Sequence, residues 1–424
     1  MIIRARTVVT MDGAPIEDGA VVVSKDRIAD VGKFDEIKRR NAGEIIDLGE
    51  QALLPGLINA HCHLDYTCLR GKIPPQRSFA DWIRSINAEK AKLSPRDYLA
   101  SISEGFVEAK RFGTTTIANL TGFPELIPQV RAPIRTWWFA ELIDVRMPDR
   151  ASEIVDLAVE SLGKTPLTRA SWGLAPHALF TASGNLYRRC EEIAGRENTL
   201  LTTHLSESGE EMEMFRDASG SLYEFLKNIG RDMSDCGNET PLQHFLKIRD
   251  SSTLKDFGAR SNKLWLIAHL NELTESDFKL LERSRGKFNV VHSPRSHDYF
   301  KHSRFPFERL RALGFNICLG TDSLASNENL SLFAEMRAFQ KEFSGISPEE
   351  ILQMVTVNPS HALRQRSALG RISRGFRADL MAIPSNERRN LFEAVVAFDS
   401  AVDWVMVDGK IERVRELACS QPCR

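Results

Sequence analysis

Histidine and carboxylate residues recur in this sequence at spacings that suit a bound divalent metal ion. His61 and His63 are two positions apart, so on a β-strand both imidazoles would point to the same side. His204 and Asp322 close two later apolar runs. Because imidazole nitrogen and carboxylate oxygen suit zinc, and also iron or manganese, the pattern predicts one divalent ion, zinc in the first instance, held by these four residues.

An ordinary explanation exists for each of these residues taken singly. A lone histidine at the end of a strand is more often a satisfied polar residue than a metal ligand. The ends of successive apolar runs carry, in order, His61-x-His63, His204, His269 and Asp322. This order is hard to explain by packing. The full order therefore favours a metal site, which lowers the pKa of a bound water to about 7 and so supplies a nucleophile at neutral pH.

Glu207 is the first carboxylate after the histidine at position 204. Just past a strand end, it could face the activated water, accept its proton and deliver that proton to a leaving group or ring nitrogen. The alternative is a solvated loop glutamate, since Glu210, Glu211 and Glu213 follow closely. We favour the catalytic role because of its position directly after a predicted ligand.

Eight apolar, β-branched runs must position these groups. They alternate with helical patterns such as 94–112 and 328–343. Eight strands alternating with helices predict an α/β fold, a (β/α)₈ TIM-like barrel, whose active site lies at the carboxyl ends of the strands. The predicted strands are 53–63, 114–120, 135–143, 170–177, 200–207, 264–272, 287–294 and 315–322.

The two ends of the chain have a different composition. Short β-rich runs at 21–24 and 28–31 are matched near the other end by 378–383 and 402–407, and Asp408-Gly409 is a hairpin signal. We therefore predict that 1–52 and 371–424 together build a small β-sandwich domain, and that 53–370 forms the barrel. The long segment 208–263 is expected to carry helices that shape a substrate pocket.

Bulk properties exclude several classes of partner. The 424 residues carry a formal net charge of −1, which provides no electrostatic footprint for nucleic acid or for anionic membranes. The seven cysteines are scattered and include no C-x-x-C pair, which favours a reducing compartment. The first residues lack the apolar core of a signal peptide, and no run is long and apolar enough to span a bilayer. We expect a cytoplasmic protein with a small-molecule substrate, and a homo-oligomer is compatible with these properties.

The motifs PGLINAHCHL, HLSE, LIAHL and LGTDS resemble the metal motifs of the amidohydrolase superfamily, and the resemblance extends over essentially the whole chain. The segment LGRISRGFRADLMAI is similar to the one by which such chains leave the barrel and re-enter the β domain. LRG and APHALFT resemble the subgroup that contains adenosine, S-adenosylhomocysteine, guanine and aminodeoxyfutalosine deaminases and the triazine chlorohydrolases.

This resemblance implies catalytic roles. His61, His63, His204 and Asp322 match the metal ligands, and the absence of a lysine from the fourth run favours one metal over two. His269 matches the histidine that hydrogen-bonds the attacking water, Glu207 matches the proton shuttle, and Asp322 would also take a proton from that water.

Substrate contacts are implied less directly. His177 in APHALFT matches a substrate-contacting histidine, His292 is expected to line the same pocket, and Glu89 is the nearest candidate for a ribose-binding glutamate. The chain also departs from the subgroup, and the roles of the residues at these positions stay open. The departures are Glu272 in place of a second histidine, Ser323 in place of glycine, and the HSPRSH run that contains Arg295 and ends in His297 rather than asparagine.

The resulting hypothesis is hydrolytic deamination of an amino-substituted heterocycle, such as an adenine nucleoside derivative, guanine or pterin. Hydrolysis of an amide or of a carbon–chlorine bond needs the same activated water and is the alternative. A non-enzymatic barrel scaffold is a third reading, but such a protein would be expected to lose ligands, and this chain has kept the full set.

Overall fold

The computed structural model describes residues 1–164, 170–250, 265–283, 288–385 and 390–412. The last part of the predicted helical segment 208–263 and the end of the predicted terminal domain, 413–424, lie outside the described residues. The described strands are, in chain order, β1 (Ile2–Val8), β2 (Ile16–Ser24), β3 (Arg27–Lys33), β4 (Ile45–Asp47), β5 (Gln51–Pro55), β6 (Leu57–His63), β7 (Thr114–Thr121), β8 (Arg135–Leu142), β9 (Ala170–Pro176), β10 (Leu200–Leu205), β11 (Trp265–His269), β12 (Asn289–His292), β13 (Asn316–Leu319), β14 (Asp322–Ser323), β15 (Leu380–Pro384), β16 (Trp404–Val407) and β17 (Lys410–Glu412).

Helices surround these strands, and two of them coincide with the helical patterns predicted at 94–112 and 328–343. The described α-helices are α1 (Phe34–Arg40), α2 (Phe79–Lys90), α3 (Pro95–Arg111), α4 (Ala151–Gly163), α5 (Gly184–Glu197), α6 (Gly209–Asp217), α7 (Gly220–Asn228), α8 (Pro241–Asp250), α9 (Glu275–Arg283), α10 (Pro294–Phe300), α11 (Phe307–Ala312), α12 (Leu332–Glu342), α13 (Pro348–Gln353), α14 (Val357–Ala362) and α15 (Leu391–Ala397). Three 3₁₀ helices cover Leu64–Leu69, Pro124–Gln129 and Pro148–Arg150.

The strands β6 to β14 form one parallel sheet that closes on itself. Each strand from β6 to β12 pairs with the next in sequence, and β14 pairs with β6. The eighth strand position is thus made by β13 and β14 in succession, interrupted at Gly320 and Thr321. The predicted eight-stranded barrel is confirmed, and every residue of β6, β7, β10 and β11 is buried, as expected for parallel strands covered on both faces.

A cluster of apolar side chains fills the barrel interior below the carboxyl ends of the strands. It combines residues from most of the barrel strands with Leu363 and Leu369, which follow α14. This packed floor leaves the polar residues at the strand ends as the last layer before the barrel mouth. The strand residues of the cluster are Ile58, Ala60, Ala118, Leu120, Trp137, Phe139, Ala175, Leu200, Leu266, Val291 and Cys318.

Both ends of the chain build a second, separate sheet, as predicted. Its strand order is β17-β16-β15-β5-β1-β2-β3, with β4 also paired to β1. The strand β5 belongs to this sheet and β6 to the barrel, so the predicted run 53–63 is in fact two strands separated by Gly56. The proposed domain limits, 1–52 with 371–424 and 53–370, stay a prediction.

The segment after β10 carries helices α6, α7 and α8, in agreement with the prediction for 208–250. No described helix combines the length and the apolar character needed to cross a bilayer.

Candidate metal centre and active site

A β-bulge in the first strand of the barrel turns both His61 and His63 toward the barrel interior. Between Asn59 and Cys62, β6 carries one residue more than its partner β7. Such a bulge re-aims the side chains that follow it. Ala60 lies in the inner apolar floor before the bulge, and both histidines face the same interior after it, whereas Cys62 packs with the outer core.

Three imidazoles and one carboxylate converge at the mouth of the barrel. The Nε2 atoms of His63 and His204 lie 3.2 Å apart, and Asp322 Oδ1 lies 3.6 Å from His61 Nε2 and 3.7 Å from His63 Nε2. The three histidines offer ligand atoms that all lie within 4.8 Å of one another. All four residues are buried, although they come from three separate strands, β6, β10 and β14.

The protonation states expected in this cluster suit metal binding. Burial lowers the pKa of His63 well below its ordinary value and lowers that of His204 to about 4, and the neighbouring His61 adds to both shifts. Burial alone would raise the pKa of Asp322, but the nearby imidazoles of His61, His269 and His63 keep it well below its usual range. Neutral imidazoles beside an ionised carboxylate are the forms that coordinate a metal, so this donor set fits one divalent ion.

A second layer of hydrogen bonds orients these groups. His204 Nδ1 lies 2.9 Å from the carbonyl oxygen of His177, and Ser296 Oγ donates to Asp322 Oδ2 at 2.7 Å. Partners of this kind fix the ring orientation and tautomer of metal-binding histidines. Sequence reasoning missed Ser296. The sequence indicates Ser296 only through its position in the HSPRSH run. Its side chain reaches Asp322 because α10 begins directly after β12.

Glu141, at the end of β8, is the other carboxylate at this level. Its Oε1 lies 3.7 Å from His63 Nδ1, and both atoms are buried without a hydrogen-bond partner among the described residues. Burial raises the pKa of Glu141. The sequence marked the end of this strand without giving Glu141 a role, and the structure places it against a predicted ligand.

Glu207 and His269 lie on the opposite side of His204. Glu207 Oε1 is 3.7 Å from His269 Nε2, and the His269 ring stacks on that of His204 with 5.3 Å between centroids. The strand β11 ends in two left-handed residues, His269 at φ 72° and Leu270 at φ 55°, which turn the imidazole toward the cluster. Burial raises the pKa of Glu207 well above its usual range, and the charges of Asp322 and Glu211 add to the effect. Burial therefore favours the protonated form of this carboxyl group more than water would.

An aromatic wall extends from His177 away from the cluster. The His177 ring lies 4.8 Å from that of His204, and its Nδ1 lies 2.6 Å from Thr181 Oγ1. Phe180 contacts both His177 and Phe79 edge-on. Phe79 in turn contacts Trp82, Phe300 and His302.

The amidohydrolase family model matches residues 52–411, which is most of the chain and includes every residue of the cluster. The chain belongs to the amidohydrolase family. Its members are metal-dependent hydrolases, and the converging histidines agree with that chemistry. This amidohydrolase is therefore a metal-dependent enzyme.

Similar proteins come from the same family. The 5-methylthioadenosine/S-adenosylhomocysteine deaminase of Pyrococcus furiosus is 29% identical over 432 residues, which cover 97% of this chain and 94% of that protein. The structure of Helicobacter pylori aminofutalosine deaminase in complex with methylthio-coformycin aligns with a TM-score of 0.83 at 19% identity, covering 97% of this chain and 99% of that one. The atrazine chlorohydrolase of Arthrobacter aurescens, complexed with zinc, aligns with a TM-score of 0.77 at 17% identity, covering 99% and 97%. The two structural alignments show a shared fold.

Two predicted substrate contacts lie elsewhere in this amidohydrolase. Glu89 Oε1 pairs with Lys92 at 2.6 Å on the partly exposed face of α2. His292 stacks on Phe305, with 4.0 Å between ring centroids and an angle of 3° between the planes. Because Val291 points into the barrel floor, the alternation along β12 turns His292 outward into the helix layer.

The residues that the sequence analysis singled out as departures from the subgroup have mostly structural contacts. Arg295 pairs with Glu328 at 2.8 Å, and the His297 ring lies 5.1 Å from that of His292. The backbone amide of Glu272 donates to the carbonyl of Ser206, the residue that precedes Glu207, at 2.9 Å.

Proposed function

We propose that this amidohydrolase is a hydrolytic deaminase whose substrate is an adenine nucleoside derivative. The observation that carries the proposal is the placement of Glu207, a buried carboxyl group whose Oε1 lies 3.7 Å from His269 Nε2, next to the histidine cluster. Deamination of a ring amidine needs such a group, because one proton must move from the attacking water to a ring nitrogen. The substrate class is supported by the Pyrococcus furiosus relative, which resembles this chain over nearly its whole length.

We propose that His61, His63, His204 and Asp322 hold one divalent ion. Three imidazole nitrogens with one carboxylate oxygen match zinc, and iron or manganese accept the same donors. When bound, the ion supplies the positive charge that makes a water acidic enough to react at neutral pH.

The chain's own residues carry the proton transfers. Glu207 takes a proton from the attacking water and delivers it to the ring nitrogen next to the amino-bearing carbon. His269 orients that water by a hydrogen bond. Asp322 accepts the second proton of the water and passes it to the departing amine, so the C–N bond breaks and ammonia leaves. His177 and the aromatic wall hold the ring in place.

A screen for ammonia release tests the proposal. The zinc-loaded protein would be assayed with adenosine, 5'-deoxyadenosine, methylthioadenosine, S-adenosylhomocysteine, guanine, pterins and cytosine. We expect turnover of at least one adenine nucleoside, and none of any amino heterocycle by the folded, zinc-loaded protein would overturn deamination. Parallel measurement of chloride release from chlorotriazines tests the alternative hydrolysis, which uses the same residues.

A variant isolates the role of Glu207. Glu207→Gln should lower kcat by roughly 10²–10⁴-fold, the usual contribution of a general acid–base group, with zinc content unchanged. Glu213→Gln, in the helix α6 that follows Glu207 and only partly buried, is the matched control and should keep full activity. Full activity in Glu207→Gln would remove this residue from the mechanism.

A further inference from the structure

Glu211 is a buried carboxylate that needs an explanation. It lies in the first turn of α6 with none of its surface exposed, and no lysine, arginine or histidine of the described chain lies within ion-pair distance of it. Burying a carboxyl group without a cation is costly unless hydrogen bonds replace the lost water. Such a group is retained where its hydrogen bonds matter.

Both oxygens of Glu211 accept backbone amides from the turn that carries Glu207. Oε1 accepts the amide of Ser206 at 3.1 Å, and Oε2 accepts the amide of Glu207 at 2.7 Å. In an ordinary capping box, the carboxylate three residues after the N-cap accepts the amide of the N-cap itself, which here is Ser208. Glu211 instead reaches one and two residues further back, so its bonds brace the turn rather than the helix end.

The opposite side of the same turn is held by the strand β11 and the residues after it. The backbone amides of Asn271 and Glu272 both donate to the carbonyl of Ser206 at 2.9 Å, and Asn271 Nδ2 donates to the carbonyl of Glu207 at 2.9 Å. Ser206 itself adopts a left-handed conformation at φ 51°. The peptide that carries Glu207 is thus fixed from two sides in a conformation that a free chain seldom adopts.

We propose that Glu211 is a positioning residue that holds the backbone of Glu207, so that the Glu207 carboxyl group stays within reach of His269 and of the reacting water. This inference rests on the proposed function, because it assigns Glu211 an effect only through the proton carrier. One consequence does not depend on any substrate: the amides of Ser206 and Glu207 should be protected from hydrogen exchange because Glu211 accepts their hydrogen bonds.

The first experiment measures this protection directly. Hydrogen–deuterium exchange of wild type and Glu211→Gln, both zinc-loaded, is compared at the amides of Ser206 and Glu207. Glutamine keeps the size of the side chain but presents an NH₂ group to one of the two amide donors, so we expect exchange at this turn to become at least about tenfold faster. Unchanged exchange there would overturn the proposal, whatever the substrate is.

The second experiment separates positioning from general stability. In the wild-type background, Glu211→Gln should lower kcat/KM for the best substrate by about 10–100-fold, the size seen for residues that orient catalytic groups, with zinc content and KM little changed. In the Glu207→Gln background, the same substitution should cost less than about threefold, because the group that it positions is already gone. Equal losses in both backgrounds would overturn the proposal.

Glu213→Gln on the same helix serves as the control in both experiments and should change neither exchange at the turn nor kcat/KM. If no substrate is turned over at all, the proposed function fails, and the exchange result still decides the role of Glu211.

Discussion

Two buried polar clusters of this amidohydrolase differ in how their atoms are partnered. At the junction of the two sheets, Arg135 donates to Asp379 Oδ2 through Nε at 3.2 Å and Nη2 at 3.1 Å and also binds Asp408, whose amide donates to Asp379 Oδ1 at 2.7 Å. At the barrel mouth, several buried atoms have no hydrogen-bond partner among the described residues. They are both ring nitrogens of His61, His63 Nδ1, Glu141 Oε1 and His269 Nε2.

The difference separates structure from function. Buried polar groups in folded proteins are almost always hydrogen-bonded, because an unpaired one costs free energy. The junction obeys this rule, so its charges stabilise the contact between barrel and terminal sheet. At the barrel mouth, by contrast, buried polar atoms that converge on one point have no hydrogen-bond partner among the described residues. Such unpaired atoms are expected where a metal ion and a substrate bind.

Removing a ligand at the mouth should have the largest effect. We expect His61→Ala to lose its tightly bound metal and at least about 10³-fold in kcat/KM, equivalent to roughly 4 kcal/mol of activation free energy, while the protein stays folded. Metal analysis and ammonia release measure both quantities. His361→Ala, at an exposed position of α14, is the control. Retention of stoichiometric zinc by His61→Ala would contradict the proposed ligand set.

A substitution at the junction of the two sheets should lower stability and leave activity almost unchanged. Arg135→Met leaves Asp379 without its cation and removes one of the cations near Asp408, which keeps Arg377 at 3.8 Å. The free energy of unfolding should therefore fall by about 3–5 kcal/mol. Activity per folded, metal-loaded molecule should change less than about twofold, since no residue of the mouth is touched. Urea unfolding and active-site titration separate the two effects. A larger loss of specific activity than of stability would show that the junction serves the site.

Glu335, a buried carboxyl group near the barrel mouth, makes the stability of the protein depend on pH. Glu335 Oε2 accepts the amide of Arg295 at 2.9 Å, and Oε1 accepts Asn327 Nδ2 at 2.7 Å. Burial nevertheless raises its pKa from 4.5 to about 7. Because the folded state holds this proton more tightly than the unfolded state, the associated stability is present below pH 4.5 and is lost as the pH rises through 7.

Glu335→Gln removes this dependence. Between pH 4.5 and 8, the stability of the variant relative to wild type should therefore rise by up to roughly 3 kcal/mol. The glutamine also loses one acceptor, which adds an offset that does not vary with pH. Urea titrations across this range measure the difference, and parallel stability curves for the two proteins would contradict it.

The smallest effect is expected at Glu89. Its ion pair with Lys92 lies on the partly exposed face of α2, where such pairs contribute between about 0 and 1 kcal/mol. Glu89→Gln should therefore leave kcat/KM within about threefold of wild type for any nucleoside substrate. A loss of tenfold or more would restore the substrate contact that the sequence suggested.

Local pattern was enough to predict the barrel and the approximate positions of its eight strands. Apolar β-branched runs between helical segments are short-range signals, and the carboxyl ends of parallel strands must meet at one face. The spacing of His61 and His63 likewise needs only the strand period to bring two imidazoles together.

Tertiary structure alone decided which side chains belong to the site. His292 ends β12, and His204 is the next-to-last residue of β10. His292 nevertheless points into the helix layer, because its orientation depends on the register of β12 with its neighbours. Three residues of the site were not predicted: Glu141, Ser296 and Glu211. The first two contact residues far away in the chain, and the third binds an unusual turn, so no local sequence pattern indicates these contacts. Their physical signature is burial and partnering, properties that exist only once the strands have been brought together.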